Sequence, residues 1–446
     1  MAKEPYTYTE QPIEKALLIG IDRGDSDWSI DESLAELQRL ADTAGAEVVA
    51  TLSQRLSAPN PRTFIGKGKV TEAADLVRAF NVDLVIFDDE LSPSQQSNLE
   101  RELAKANSDI KVIDRTALIL DIFALHAQTR EGRLQVRLAQ NQYLLPRLRG
   151  MWAHLAANRM GGGVGSRFGE GESQLEVDRR MIRRRIDNIK IELKKLEADR
   201  SIQRTERMNA GVFKIALAGY TNAGKSTLLN RLTDSDVLAY DKLFATLDST
   251  TRRFGLPAGG QATLSDTVGF IQKLPTTLIE AFKSTLDEIT SADLILLVVD
   301  ASSAQRNEQM HAVQEVLEQI NAHQIPQIVV MNKIDLLDKG EISGLSGSNP
   351  AAQLISAVTG VGLDGLLQSI QTAANANSTL LEVLIPFDQG QLVNLAYERT
   401  TVVSVRYGET GTWMLLRVPT ELNSRFEPYR AKSDDSDEPK SDADGD

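Results

Sequence analysis

Residues 219–227 read GYTNAGKST, which is the pattern G-x-x-x-x-G-K-[ST] of a phosphate-binding loop. The apolar run 213–218 before it predicts a buried strand, and residues 228–232 after it predict a helix. In that setting, backbone N–H groups and the helix N-terminus face phosphate oxygens. The sequence therefore predicts a set of nucleotide phosphate-binding residues: Gly219, Tyr220, Thr221, Asn222, Ala223, Gly224, Lys225, Ser226 and Thr227.

Two side chains of this loop have distinct predicted tasks. Lys225 reaches the β- and γ-phosphates and is predicted to be catalytic, and the Ser226 hydroxyl is predicted to ligate Mg²⁺. We therefore expect a nucleotide-hydrolysing enzyme with Mg²⁺ as its cofactor.

The string N-K-x-D at residues 332–335 indicates that the base is guanine. The Asp335 carboxylate accepts from guanine N1–H and the 2-amino group, whereas adenine has no donor there and would leave the carboxylate unpaired. A short strand ending in S-A at residues 356–357 can present backbone N–H groups to guanine O6. The predicted guanine-binding residues are Asn332, Lys333, Ile334, Asp335, Ser356, Ala357 and Val358.

A D-x-x-G string at residues 266–269 predicts the segment that we call switch II, consisting of Asp266, Thr267, Val268 and Gly269. Asp266 is expected to hold Mg²⁺ through water, and the Gly269 N–H is expected to sense the γ-phosphate. Gly269 therefore joins Lys225 among the predicted catalytic residues.

A threonine-rich stretch upstream predicts switch I, consisting of Phe244, Ala245, Thr246, Leu247 and Asp248. One threonine hydroxyl in such a segment completes Mg²⁺ coordination when the γ-phosphate is present. Thr246 is favoured as this ligand and as a catalytic residue, because F-A-T-L is similar to the F-T-T-L segment of Obg-type GTPases. Thr250 and Thr251 are the alternatives.

The residue after switch II is Phe270, where Ras-like GTPases have a glutamine that positions the attacking water. An apolar side chain cannot orient water. We therefore expect slow intrinsic hydrolysis and strong stimulation by a partner.

Composition limits the remaining possibilities. The 446 residues contain no cysteine and four histidines, which excludes disulfides and thiolate metal sites and disfavours a histidine-rich one. No apolar run is long enough to span a membrane, and the N-terminus lacks a signal-peptide pattern. These features predict a cytoplasmic protein, and nothing in the sequence demands an oligomer, so we expect a monomer.

Strand-like and helical stretches divide the chain into an α/β multidomain protein. Strand-like runs at 16–21, 47–52, 84–87 and 111–113 alternate with helical stretches such as 33–43 and 69–80, which predicts a small parallel sheet covered by helices. The predicted divisions are an N-terminal α/β domain (1–127), a helical hairpin (128–210), a nucleotide-binding domain with a mostly parallel sheet (211–375), a small α+β domain (376–430) and a disordered acidic tail (431–446).

Two polar clusters, residues 66–68 and 88–90, follow predicted strands of the N-terminal sheet. Open sheets bind ligands at such ends, so a second nucleotide site, plausibly for ATP, or an RNA site is one interpretation. Ordinary turns and solvated loops are the other.

The hairpin carries apolar residues at helical spacing. Leu134, Leu138 and Leu145 predict one face, and the second face is predicted by Leu175, Ile182, Ile186, Ile189, Leu193 and Leu196. Residues 179–207 contain eleven Lys or Arg against five Asp or Glu, although the whole chain has a net charge of −13. Local positive charge attracts a phosphate backbone regardless of the total.

A long glycine-rich, basic loop is predicted between the two helices, within residues 147–172. Arginines that neutralise phosphates and aromatics that stack on bases suit RNA, and a solvated linker is the alternative. The candidate RNA contacts are Arg147, Arg149, Trp152, Arg167 and Phe168.

The combination of GYTNAGKST, FATLDSTTRR, SDTVGFIQKLP, NKID and ISA resembles the HflX family of translational GTPases. The resemblance extends upstream through FIGKGKV, IFDDELSPSQQSNLE, DRTALILDIFALHAQTREGRLQVRLAQNQYLLPRLRGMW and GESQLEVDRRMIRRRI, and covers about residues 15–430. It implies binding of the large ribosomal subunit, with the hairpin loop touching rRNA near the peptidyl transferase region. It also implies splitting of stalled or hibernating ribosomes in some members under stress.

Two other kinds of function remain open on the sequence. One is an RNA-remodelling or ribosome-assembly factor with an ATP site in the N-terminal region. The other is a GTP-switched scaffold for a protein or peripheral membrane partner that uses the acidic tail.

Overall fold

A computed structural model describes residues 13–24, 28–159, 168–208, 212–233, 243–244, 247, 249–275, 278, 282–376 and 378–431. Within these ranges, the side chains of residues 149–159, 168–175, 199–208, 283–285 and 421 are not described. The chain is a multidomain α/β protein, as its sequence predicts.

The N-terminal sheet has four parallel strands in the order β2-β1-β3-β4. Each strand is followed by a helix, so the predicted alternation of strands and helices is confirmed. The elements are β1 (Lys15–Asp22), α1 (Ile30–Ala44), β2 (Glu47–Arg55), α2 (Lys67–Phe80), β3 (Leu84–Phe87), α3 (Pro93–Leu103), β4 (Lys111–Asp114) and α4 (Arg115–His126).

Helix α1 starts three residues earlier than the apolar spacing predicts. The Ser29 side chain accepts from the Glu32 N–H, and the Glu32 carboxylate accepts from the Ser29 N–H at 2.9 Å. This capping box satisfies N–H groups that the first turn would otherwise leave without partners. The helix therefore begins at Ile30.

The two faces of the N-terminal sheet have separate apolar cores. Side chains of α2 and α3, such as Val77 and Leu99, pack on one face. Side chains of α1 and α4, such as Leu37 and Phe123, pack on the other, and that core continues into the central domain. The α1/α4 face is therefore fixed against the predicted nucleotide-binding domain.

Two long helices, α5 (Arg130–Arg159) and α6 (Phe168–Met208), follow the N-terminal domain. Arg130 at the start of α5 lies 3.1 Å from Glu192 in the later part of α6, which fits an antiparallel pair. Leu134, Leu138 and Ile186 are buried, as the helical spacing predicts.

Both helices extend into the stretch predicted to be a loop, because α5 continues to Arg159 and α6 begins at Phe168. Residues 151–159, MWAHLAANR, contain no glycine or proline and are rich in good helix formers. Propensity therefore extends α5 into a stretch that we predicted to be loop.

The central sheet has six strands in the order β10-β9-β8-β5-β7-β6, all parallel except β6. The chain leaves β5 on one side and returns to β8 on the other, so the connections diverge beside the carboxyl end of β5, where open sheets bind ligands. The strands are β5 (Phe213–Gly219), β6 (Thr250–Gly255), β7 (Gln261–Asp266), β8 (Leu294–Asp300), β9 (Gln327–Asn332) and β10 (Gln353–Leu354). The helices are α7 (Lys225–Thr233), α8 (Lys283–Thr290), α9 (Arg306–Gln319), a 3-10 turn (Ile334–Leu336), α10 (Lys339–Ser348) and α11 (Leu363–Ala376).

The last domain is a three-stranded antiparallel sheet in the order β11-β13-β12, with helix α12 on one face. Its elements are β11 (Ser378–Pro386), α12 (Gly390–Arg399), β12 (Thr401–Tyr407), β13 (Gly411–Pro419), α13 (Asn423–Phe426) and 3-10 turns at Phe387–Gln389, Thr420–Leu422 and Glu427–Tyr429. These strands and helices agree with the small α+β domain that the sequence predicts. Among the residues that the structure describes, no helix has the length and apolar character needed to cross a membrane.

Candidate nucleotide site

The phosphate-binding loop connects β5 to α7, with Lys225 as the first helical residue. The Lys225 ammonium donates to the carbonyls of Gly219 at 3.0 Å and Tyr220 at 2.8 Å, which folds the side chain back over the loop. Burial lowers the pKa of Lys225 to about 8, against the opposing effect of Asp266. The site thus holds a buried cation with two carbonyl partners at the place where the phosphates are predicted.

Asn332, at the end of β9, joins this loop to the predicted base site. Its amide N–H donates to the Ala223 carbonyl at 2.9 Å, and its amide oxygen accepts from the Ala357 N–H at 3.0 Å. Gly224 has φ +93°, and a Cβ atom there would collide with the Asn332 amide, so only glycine allows this approach. The structure therefore brings three of the predicted strings together around one amide.

The backbone N–H groups predicted to meet guanine O6 have partners within the protein. The Ser356 N–H donates to the Val361 carbonyl at 3.0 Å, and the Ala357 N–H donates to Asn332. The Val358 side chain is exposed. The segment is thus held in place by Asn332, which is a feature that its sequence does not reveal.

Lys333 and Asp335 follow β9 at the same edge of the sheet. The Asp335 side chain is exposed, within the 3-10 turn Ile334–Leu336, and Ile334 is buried beneath it. The Lys333 ammonium lies 2.6 Å from the Asp300 carboxylate at the end of β8. Asp300 was not among the predicted site residues, although its position at the end of a strand indicated that it could lie at this sheet edge.

Ser226 and Asp266 form the part of the site that can hold Mg²⁺. The Ser226 hydroxyl donates to the Asp266 carboxylate at 2.6 Å, and Asp266 is fully buried at the end of β7. A hydroxyl and a carboxylate so close together are the ligand types that Mg²⁺ takes when phosphate oxygens and water supply the rest. The residues present therefore fit the ion.

Switch II leaves β7 directly beside the phosphate loop. The Thr267 hydroxyl donates to the Leu217 carbonyl at 2.7 Å, and Val268 is buried. Thr221 and Lys225 crowd the position where Gly269 would carry a Cβ atom, so the Gly269 backbone lies against the loop.

Phe270 is 1% exposed and its backbone pairs with the loop. The Thr221 N–H donates to the Phe270 carbonyl at 2.8 Å, and the Phe270 N–H donates to the Gly219 carbonyl at 3.1 Å. The ring therefore points into the core and has no part in placing water.

Switch I is only partly described. Phe244 and Leu247 are buried, while Ala245, Thr246 and Asp248 lie outside the described residues. The alternative threonines, Thr250 and Thr251, stand in strand β6, and the Thr251 hydroxyl lies 2.8 Å from that of Ser265. Their place in a strand ladder was not predicted, because the stretch looked like a continuous polar loop.

A buried polar cluster links this site to the N-terminal domain. Arg115, at the start of α4, forms ion pairs with Glu36 on α1 and, at 2.6 Å, with Asp88 after β3. Burial alone would raise the pKa of Asp88, but Arg115 and then Lys273 outweigh it and lower the pKa, so the carboxylate is ionised. We call the group formed by Glu36, Asp88 and Arg115 the interdomain cluster.

The polar residues that we predicted as a possible second nucleotide site contribute to this cluster or lie apart. Asp88 is bound to protein side chains, and Lys67 is the exposed first residue of α2 instead of the end of a strand. These contacts give the second-site interpretation no support.

Among the candidate RNA contacts, Arg147 has an unexpected position. It is 7% exposed, its guanidinium donates to the Asp114 carboxylate at 3.0 Å and to the Leu91 carbonyl at 2.7 Å, and it stacks on the Tyr143 ring. Arg147 therefore anchors α5 to the N-terminal domain and is not presented at the surface. The side chains of Arg149, Trp152 and Phe168, and all of Arg167, lie outside the described residues.

Three family profiles match the chain in succession. A profile described as GTP-binding GTPase N-terminal matches residues 31–124, one described as GTP-binding GTPase Middle Region matches 126–207, and one described as 50S ribosome-binding GTPase matches 214–333. Together they span β2, β3 and β4 of the N-terminal sheet, the helical pair and most of the central sheet.

Curated relatives named GTPase HflX cover nearly the whole chain. The protein of Caldanaerobacter subterraneus is 44% identical over 416 residues, which is 93% of this chain and 94% of the relative. That of Escherichia coli K12 is 43% identical over 391 residues, 87% of this chain and 90% of the relative. A solved GTP-binding protein of Sulfolobus solfataricus in complex with GDP is 23% identical and covers 82% of this chain and 99% of its own, with a TM-score of 0.40.

Proposed function

Because this chain belongs to the HflX family of GTPases and hydrolyses GTP to GDP and phosphate, we propose that its GTP-bound form binds the large ribosomal subunit. In this proposal the protein splits or rescues stalled or hibernating ribosomes under stress, as a Mg²⁺-dependent, monomeric factor of the cytoplasm. GTP controls when it docks, and hydrolysis releases it.

Recognition of GTP is assigned to two groups of residues. Residues 219–227 hold the phosphates, chiefly through backbone N–H groups and Lys225. Asp335 selects guanine, and Lys333, held by Asp300, covers the face of the base. Asn332 keeps these two groups in register through its contacts with Ala223 and Ala357.

Hydrolysis depends on charge neutralisation and positioning. Lys225 places a positive charge beside the β- and γ-phosphates, and the Gly269 N–H donates to the γ-phosphate. Mg²⁺, when bound, would neutralise charge on the phosphate oxygens, with Ser226 as direct ligand and Asp266 acting through water. Thr246 is proposed as the ligand that depends on the γ-phosphate.

The attacking water requires a positioning group from outside this site. Phe270 stands where that group would be expected, and its side chain is in the core. We propose that the ribosome supplies or induces the arrangement that Phe270 cannot, which makes hydrolysis depend on docking.

The helical pair α5–α6 is proposed to contact rRNA. Helix α6 exposes a row of basic side chains between residues 176 and 198, namely Arg180, Arg183, Arg184, Arg185, Lys190, Lys194 and Lys195. Such a row suits the phosphate backbone. The proposed contacts near the tip are Arg149, Trp152, Arg167 and Phe168, and Arg147 is excluded because it is buried against Asp114.

The carrying observation is the direct attachment of the nucleotide site to the domain that bears these basic helices. Purified protein should be sedimented with separated ribosomal subunits in the presence of GDP or a non-hydrolysable GTP analogue. We expect binding to the large subunit that is at least tenfold stronger with the triphosphate form. Equal binding in the two nucleotide states would contradict the proposal.

Charge reversal on α6 tests whether this helix contacts the large ribosomal subunit. Replacing Arg183, Arg184 and Arg185 by glutamate should abolish sedimentation with the subunit while leaving GTP affinity unchanged, because the three side chains are exposed on α6, which contributes no residue to the predicted nucleotide site. If the triple variant still sedimented with the subunit, this helix would be excluded from the interface.

A further inference from the structure

The Tyr220 hydroxyl connects three parts of the molecule. Tyr220 belongs to the phosphate-binding loop, and its hydroxyl donates to the Glu36 carboxylate of the N-terminal domain. The same oxygen accepts from the Gln272 N–H at 2.8 Å, three residues after the end of switch II. A phosphate loop needs no aromatic side chain, since its backbone makes the phosphate contacts. The nucleotide chemistry therefore leaves this phenol unexplained.

Two further contacts fix the segment after switch II to the same domain. The Gln272 amide donates to the Ser33 hydroxyl at 3.2 Å, and the Lys273 ammonium lies 2.5 Å from Asp88 and 3.0 Å from Asp89. Gly269 is thus separated by no more than four residues from side chains that are anchored in the N-terminal domain.

The interdomain cluster continues toward the helical pair. Arg115, which pairs with Glu36 and Asp88, is preceded directly by Asp114. Asp114 accepts from the Arg147 guanidinium at 3.0 Å and from the Tyr143 hydroxyl at 2.9 Å, both on α5. Arg115 therefore binds Glu36 and Asp88, which contact the nucleotide-binding domain, and the neighbouring Asp114 binds α5.

This connection is stiff at its centre, because the ionic residues there are deeply buried. Glu36, Asp88, Asp114 and Arg115 are each no more than 2% exposed. Separating a buried ion pair leaves uncompensated charge, so such networks change between discrete arrangements and do not deform gradually. Phe123 of α4 adds apolar contact, with its ring 4.7 Å from that of Phe244 in switch I.

We propose that Tyr220 and Lys273 are positioning residues that couple the γ-phosphate state of the site to helix α5, through the interdomain cluster and the Asp114–Arg147 pair. The coupling is a property of the isolated protein. It requires GTP binding but does not require the ribosomal role proposed above.

Hydrogen–deuterium exchange on the full chain tests this coupling. Backbone amides of residues 130–148 should be compared in protein saturated with GDP and with a non-hydrolysable GTP analogue, each well above the dissociation constant measured for that variant. We expect at least a tenfold difference in exchange between the two forms of the unaltered chain. Tyr220→Phe and Lys273→Met should each reduce that difference at least fivefold.

The comparison between nucleotide forms separates coupling from simple destabilisation. A merely structural role would change exchange equally in both forms and leave their ratio intact. In both variants Arg115 still forms its ion pairs with Glu36 and Asp88. Tyr407→Phe and Lys69→Met, which alter an exposed phenol and a half-buried lysine paired with Glu72, serve as matched controls with no expected change.

Two results would overturn the proposal. One is a nucleotide-dependent change in residues 266–273 that is absent from residues 130–148 in the unaltered chain. The other is a full difference in residues 130–148 in both variants. If Tyr220→Phe fails to bind nucleotide, Lys273→Met, which lies outside the phosphate loop, decides alone.

Discussion

Two mainly parallel sheets of the protein carry polar residues at the carboxyl ends of their strands. These residues have different partners in the two sheets. At the central sheet, Asp266 and Asn332 border a glycine-rich loop that presents backbone donors to a ligand. At the N-terminal sheet, the carboxylates of Asp88 and Asp114 form ion pairs with arginine and lysine side chains of the protein itself. One edge recognises a ligand and the other recognises a neighbouring domain.

The difference shows that acidic residues at a strand end do not define a ligand site by themselves. A phosphate ligand needs a glycine-rich turn that opens onto a helix N-terminus, as residues 219–224 provide before α7. Where a helix or a neighbouring loop instead brings a buried cation, as α4 brings Arg115, the same carboxylates become structural.

The largest expected effect concerns the edge of the N-terminal sheet, where the carboxylates are paired with arginine and lysine. Arg115→Met would leave Glu36 buried without a countercharge and Asp88 with Lys273 alone, so we expect the N-terminal domain to lose about 3–5 kcal/mol of stability. Native-state hydrogen exchange of β1 and β3 measures this loss. Arg78→Met, which breaks an exposed pair with Asp75, is the control and should change protection by less than about 0.5 kcal/mol. A loss below about 1 kcal/mol for Arg115→Met would remove the distinction between the edges.

The next effect concerns base selection at the open edge. Asp335→Asn replaces an acceptor for two guanine donors by an amide, so GDP affinity should fall by about 100-fold, and affinity for xanthosine diphosphate should rise. Calorimetric titration with both nucleotides measures the change. Asp338→Asn, at the N-cap of α10 where asparagine also caps well, is the matched control. Unchanged guanine preference would show that Asp335 does not contact the base.

A pH dependence follows from Lys225. Its pKa is lowered to about 8 by burial, and bound phosphates must raise it again, so the complex holds one more proton than the free protein above that pH. GTP affinity should therefore be constant below pH 8 and fall by about tenfold per pH unit as the pH rises above 8. Calorimetry between pH 7 and 9 tests this, with Lys225→Met as the variant that should show no such fall. A flat profile for the unaltered chain would mean that Lys225 keeps its charge when free.

The smallest effect concerns the support of Lys333. Asp300→Asn weakens a half-buried pair at 2.6 Å, so GDP affinity should fall by about fivefold, corresponding to about 1 kcal/mol. The same titration measures it, with the exposed Asp109→Asn as control. A loss as large as that of Asp335→Asn would instead place Asp300 in contact with the nucleotide.

The residues proposed for the nucleotide site could be named from the sequence because their chemistry lies in short strings. Residues 219–227, 266–269 and 332–335 each combine a strand end with a turn, and backbone geometry does most of the work. Their spacing along alternating strands and helices then fixes one sheet edge where all of them meet. The antiparallel place of Thr250 and Thr251 escaped because a strand that begins inside a polar stretch has no apolar run to mark it.

The interdomain cluster and its contacts could not be predicted, because the residues that meet there are far apart in the sequence. Glu36 and Arg115 are separated by 79 positions, and Glu36 and Tyr220 by 184. Arg147 misled for the same reason, since its basic neighbours pointed to RNA while its partner Asp114 lies 33 positions earlier. Only the packing of α1 and α4 on one face of the sheet reveals these pairs.

The bond between Asn332 and the Ala223 carbonyl has an evolutionary consequence. Phosphate grip and base choice share one amide, and Gly224 leaves no room for any larger residue beside it. A lineage that lost this amide would lose the anchor of the phosphate loop and that of the Ser356–Ala357 segment in one step. Selection on either segment therefore acts on the same side chain.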